Sequence, residues 1–144
     1  MQSPSSSDAR VPVRRRRRRL LVAAAVVIVA GLLTHILGSG PIAGLAGDAL
    51  YAVMVYLVIA VAVPRARSVA VGAGALAICT LIELFQLTGL PALWAQEFWP
   101  VRLVLGVGFD AADLVAYAVG VCAAALVDQL TRRRVPSPAR DGLS

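Results

Sequence analysis

Four apolar stretches punctuated by arginine decide what this chain can fold into. They run Leu20–Leu37, Asp48–Val63, Val69–Leu87 and Asp110–Leu130. A helix rises about 1.5 Å per residue, so stretches of this length approach or match the roughly 30 Å hydrocarbon core of a bilayer. In lipid, backbone N–H and C=O groups must be satisfied within the segment, which leaves the α-helix as the state of each stretch. Composition agrees: 59% of the 144 residues are hydrophobic and mean hydropathy is +0.80, against roughly 45–50% apolar usage in soluble domains. Such a chain has too little polar surface to coat a water-soluble globule. It reads as an all-α integral membrane protein, a four-transmembrane-helix bundle.

The basic residues orient that bundle. All 14 are arginines, and 13 of them lie in the N-terminal tail, the Pro64–Ser68 loop or the C-terminal tail. Arg102 is alone on the other side. By the positive-inside rule both termini are cytoplasmic. A net charge of +6 and a pI near 10.6 would suit nucleic acid, but these arginines flank apolar segments instead of striping a face, and nucleic-acid binding is set aside. The expected organisation is a disordered basic tail over 1–19, a membrane domain over 20–130 and a basic Pro/Ser tail over 131–144. Arg14–Arg19 precede a segment long for a signal peptide, so a retained first helix is expected, its arginines forming a generic anchor at anionic headgroups.

The connections carry further signals. Gly38–Gly47 (GSGPIAGLAG) reads as a Gly/Pro turn region. The longer link Thr88–Phe109 holds Pro91, Trp94, Phe98, Trp99 and Pro100. Its aromatic rings belong at headgroup level, and Pro91 opens a short interfacial helix with Trp94 and Phe98 on one face. Ala116, Gly120 and Ala124 form a small-residue ridge, suited either to packing inside one bundle or to a homo-oligomer seam. Cys79 and Cys122 fall inside apolar segments and read as small hydrophobes. No Cys/His spacing suggests a metal site, and no cofactor is assigned.

Polar residues from all four segments converge near the outer face. Glu83 lies about 21 Å from the inner end of segment three at helical rise, with Gln86 one turn further out and Cys79 one turn deeper. Asp110 and Asp113 open segment four, and Tyr117 follows Asp113 by a turn. Asp48 and Tyr51 open segment two, and His35 closes segment one. Asp48 and Asp110 have a simple reading as helix N-caps, and Asp113 as a first-turn acid stabilised by the dipole. His35 reads equally as an interfacial histidine, and Tyr51 and Tyr117 as core hydroxyls.

Glu83 has no such reading. It stands near the negative end of its helix, and an acid inside an apolar segment costs about 2–3.5 kcal/mol on insertion scales. A cationic partner or a proton must offset that. Arg102 is the first choice and His35 the second, so a Glu83–Arg102 pair pinning the Thr88–Phe109 loop is expected. The candidate polar site is therefore Glu83, Arg102, Asp113, Asp48, Gln86, Tyr117, Asp110 and His35. No Ser-His-Asp order, HExxH, Walker loop or CxxC is present, and no catalytic residue is assigned. Gly106-Val107-Gly108 lacks the preceding strand of a phosphate loop and reads as a bend.

With these residues in view, the chain resembles the bacterial membrane family known as domain of unknown function 2809. The resemblance covers about Leu20 to Leu130. It is carried by Gly47-Asp48-Ala49-Leu50-Tyr51-Ala52, Ile82-Glu83-Leu84-Phe85-Gln86-Leu87, Trp94, Arg102, Leu105-Gly106-Val107-Gly108-Phe109, Asp113-Leu114-Val115-Ala116-Tyr117 and Gly120. It implies a small four-helix protein of a bacterial inner membrane and no particular activity. The chain is more loosely similar to VanZ-like membrane proteins, whose Glu-x-x-Gln, later Arg and Asp, and helix glycine would map onto Glu83, Gln86, Arg102, Asp113 and Gly120. That similarity implies a role at the cell envelope; Tyr117 stands where an asparagine is usual there, and the Gln-to-Arg loop is longer.

Three functions follow as expectations. The first is a non-enzymatic protein whose outward polar site binds a lipid headgroup or envelope precursor. The second is a membrane enzyme on a lipid-linked substrate, using Glu83 or Asp113 as acid or base. The third is a structural partner subunit docking through the Ala116–Gly120–Ala124 ridge.

Overall fold

The computed structural model describes residues 10–106 and 108–133. The expectations for the tails before residue 10 and after residue 133, and for Val107, lie outside the described residues. The elements are α1 (Arg10–Leu37), α2 (Pro41–Ala62), α3 (Ser68–Gln86), α4 (Leu90–Glu97), α5 (Pro100–Leu105) and α6 (Ala111–Arg133). Among the described residues, four helices are long and apolar enough to cross a membrane: Val13–Leu37, Pro41–Ala62, Ser68–Gln86 and Ala111–Arg132. This is a multi-pass membrane protein.

Two helices begin earlier than their apolar pattern suggests. α1 starts at Arg10, so the arginine run is helical and not part of a disordered tail. α2 starts at Pro41, inside the stretch expected to be a turn. Proline suits a first helical turn, because its missing N–H would be free there anyway. From that point the glycines at 44 and 47 stay helical, since an unpaired backbone in lipid costs more than glycine's poor propensity. Asp48 therefore lies nearly two turns inside α2, and the expectation that it caps a helix is corrected.

α3 ends as its sequence suggests. The N–H groups of Leu87, Thr88 and Gly89 donate to the carbonyls of Leu84, Phe85 and Gln86, tightening the last turn. Gly89 then turns left-handed, with φ 72°. The aromatic link that follows is two short helices. α4 has proline in its first turn as expected and packs Trp94 against Phe85, the rings tilted by 52° with centroids 5.6 Å apart. Phe98 and Trp99 are exposed between α4 and α5. α5, opened by Pro100, was not expected.

α2, α3 and α6 pack against one another, and α1 packs along α2 alone. Only 6% of the apolar window in α1 is fully buried; one stripe of the helix, with Leu20, Ala23, Ala24 and Val27, faces the bundle and the rest faces outward. The core is narrow and repeats every fourth residue. α2 contributes Ala52, Tyr56 and Ala60, α3 contributes Val71, Ala75 and Cys79, and α6 contributes Tyr117 and Val121. Small side chains let these backbones approach, which is how apolar helices associate when lipid removes the hydrophobic drive. Gly120 marks the closest approach: a Cβ there would fall on the Ala49 carbonyl of α2. Ala116 and Gly120 are buried and Ala124 half-buried within the one chain, so these residues of the ridge pack inside the bundle. The outward faces are apolar, as with Val58, Val69, Leu81, Val115 and Val119. Lipid rather than water suits them.

Candidate functional site

The bundle has two polar ends, named here by their charges. At the carboxylate end, Glu83 occupies the position where the Val71–Ala75–Cys79 stripe of α3 would place the next core residue. Its exposure is 0%. Both carboxylate oxygens are engaged. The Asp110 backbone N–H donates to Oε1 at 2.6 Å, and the Tyr117 hydroxyl donates to Oε2 at 3.1 Å.

The expected Glu83–Arg102 pair does not form: among the described residues the only ion pairs join Asp128 to Arg16 and Arg132. Arg102 is exposed on α5. The physical reason is that a backbone N–H at the start of α6 and a tyrosine hydroxyl about two turns further along it already surround the carboxylate. No arginine is needed to stabilise it. The loop is still pinned to α3, by these bonds and by Gln86.

Gln86, one turn beyond Glu83, donates from Nε2 to the Leu105 carbonyl at 2.5 Å, taking a free acceptor at the end of α5. Its Oε1 is buried and has no partner among the described residues. Gly106 follows with φ 65°, and a Cβ there would strike the Gln86 amide. A glycine is required on both counts. Tyr51 of α2 donates to the Val104 carbonyl at 2.8 Å, and its ring lies 6.4 Å from that of Tyr117.

The three aspartates stand in front of this framework. Asp110 caps α6 as expected, its Oδ1 accepting from the Ala112 N–H at 2.9 Å. Asp48 of α2 and Asp113 of α6 face one another, and with Asp110 they border an open cleft of about 220 Å³ also lined by Pro41 and Leu45. Among the described residues, no basic side chain lines it. Among the described residues, no group of three His, Cys, Asp or Glu side chains converges to hold a metal ion. His35 is exposed near the end of α1 and makes no hydrogen bond among the described residues, so it is not brought into this cluster. Of the eight candidates, six (Glu83, Gln86, Asp48, Asp110, Asp113 and Tyr117) gather here and two, Arg102 and His35, do not.

The other end holds a polar centre that the sequence reading missed. Asp128, 8% exposed on α6, accepts from Arg16 of α1 at 3.0 Å and from Tyr56 of α2 at 2.9 Å. It also accepts from Ser68 of α3 at 2.7 Å and from Arg132 at 3.1 Å. All four membrane helices meet at one carboxylate. The available signal was an aspartate inside the fourth apolar segment with arginine four residues on, a helix-face ion pair.

No curated protein and no solved structure matches the chain. A family model does, over residues 37–121, with the description "Protein of unknown function (DUF2809)". That span contains the whole carboxylate end and excludes both Arg16 and Asp128. It covers more than half of the sequence, and the chain belongs to the DUF2809 family.

Proposed function

We propose that this protein spans a bacterial inner membrane with both termini cytoplasmic, and that its outward carboxylate end binds a lipid headgroup through a cationic ammonium. The observation that carries this reading is the cleft bordered by Asp48, Asp110 and Asp113 with no basic side chain in its lining among the described residues. Acids at this level of a membrane helix are costly and mark functional sites by default. An anionic phosphate would be repelled there, whereas a primary ammonium supplies hydrogen-bond donors to carboxylates that otherwise have few. Glu83 acts behind the cleft as a positioning residue, because Oε1 holds the Asp110 N–H at the start of α6 and Oε2 holds the Tyr117 hydroxyl further along it.

The test is native mass spectrometry of the purified protein and of Asp48→Asn/Asp113→Asn, each offered ethanolamine, choline and glycerol phospholipids with identical acyl chains. The wild type is expected to retain the ethanolamine lipid preferentially, and the double variant to lose that preference while melting within a few degrees of it. Equal retention of all three lipids by the wild type, or an unchanged preference in the variant, contradicts the proposal.

A further inference from the structure

The six-arginine run does two different things. Arg16 turns inward to Asp128, and the Arg17 guanidinium donates to the Val61 carbonyl at 3.1 Å. Arg15, Arg18 and Arg19 are exposed and make no hydrogen bond among the described residues. These three, with Val22 and Ala23 of the same helix, border an open surface depression of about 570 Å³.

The five residues follow the i, i+3, i+4, i+7, i+8 pattern of a single helix stripe. Along it the chemistry changes within one turn, about 5 Å. The Arg15–Arg19 half is cationic, and the Val22–Ala23 half is apolar, with Ala23 packed against the bundle core. A molecule filling both halves must be anionic at one end and apolar at the other. Guanidinium groups grip phosphate oxygens in pairs, and the change from arginine to valine falls where the arginine run gives way to the apolar stretch Leu20–Leu37.

We infer that Arg15, Arg18 and Arg19 form a site for the phosphate of one anionic phospholipid, whose acyl chain lies along Val22 and Ala23. This site is at the opposite end of the bundle from the carboxylate cleft and does not depend on the function proposed for it. It gives α1, which packs on α2 alone, a lipid partner on its uncovered side.

The experiment is a lipid titration of the full-length protein in detergent, read by native mass spectrometry, with phosphatidylglycerol and phosphatidylcholine of the same chains. The wild type is expected to bind one phosphatidylglycerol at least about tenfold more tightly than phosphatidylcholine, three basic side chains each adding attraction to an anionic headgroup. Arg15→Gln/Arg18→Gln/Arg19→Gln abolishes that preference. Arg14→Gln/Arg65→Gln/Arg67→Gln removes the same charge elsewhere and keeps it within about threefold. If the first triple does not fold, the single reversal Arg18→Glu serves in its place.

Equal weakening by both triples would reduce the effect to diffuse surface charge and overturn the site. Full preference in the first triple variant overturns it as well. Inorganic phosphate displacing the lipid at equal concentration would mean a simple anion site and would also contradict the inference.

Discussion

Arg16 and Asp128, 112 positions apart in the sequence, meet through two hydrogen bonds of 3.0 and 3.2 Å. This pair closes the bundle at its arginine end, and it fastens α1 to α6, a helix that α1 does not otherwise pack against. Breaking a buried charge cluster by removing one partner leaves the others uncompensated. Asp128→Ala is therefore expected to lower stability by about 3–5 kcal/mol, while Tyr56→Phe removes one neutral donor and costs about 1 kcal/mol. Unfolding by SDS titration in micelles measures both; equal effects would show that the carboxylate is not the hub.

Gly120 sets the spacing of α2 and α6. Gly120→Val is expected to cost about 1–3 kcal/mol, because the side chain meets the Ala49 backbone and neither helix can yield locally. Ala123→Val, on the exposed face of α6, should change the same melting measurement little. A large effect at Ala123 with none at Gly120 would mean that the ridge faces outward.

Gly106 has two reasons to be glycine, and they can be separated. Gly106→Ala faces a left-handed φ and the Gln86 amide together, and is expected to cost about 1–3 kcal/mol. In a Gln86→Ala background the steric part disappears and the cost of the substitution falls. An unchanged cost would place the whole effect in the backbone.

How much of this was legible from residues alone varies along the chain. Segment three was read as Val69–Leu87 and the helix is Ser68–Gln86, because a basic loop and a glycine bracket it. The start of α2 was misread since Gly and Pro signal turns in water, whereas lipid enforces helix through them. Glu83 stood out because an acid at the negative end of an apolar helix demands an explanation. Its partners did not, because a backbone N–H carries no sequence signature and charge pairing alone pointed to Arg102. Asp128 was not among the candidate residues. Its burial depends on four helices meeting, which no single segment reveals.

The geometry of the carboxylate end rests on what holds Glu83. Double-mutant cycles on thermal or SDS unfolding measure this directly, pairing Glu83→Leu with Tyr117→Phe and, separately, with Arg102→Gln. Residues in contact couple by roughly 0.5–3 kcal/mol, and independent ones add within about 0.5 kcal/mol. The structure requires coupling between Glu83 and Tyr117 and additivity between Glu83 and Arg102. Coupling to Arg102 with none to Tyr117 would contradict it.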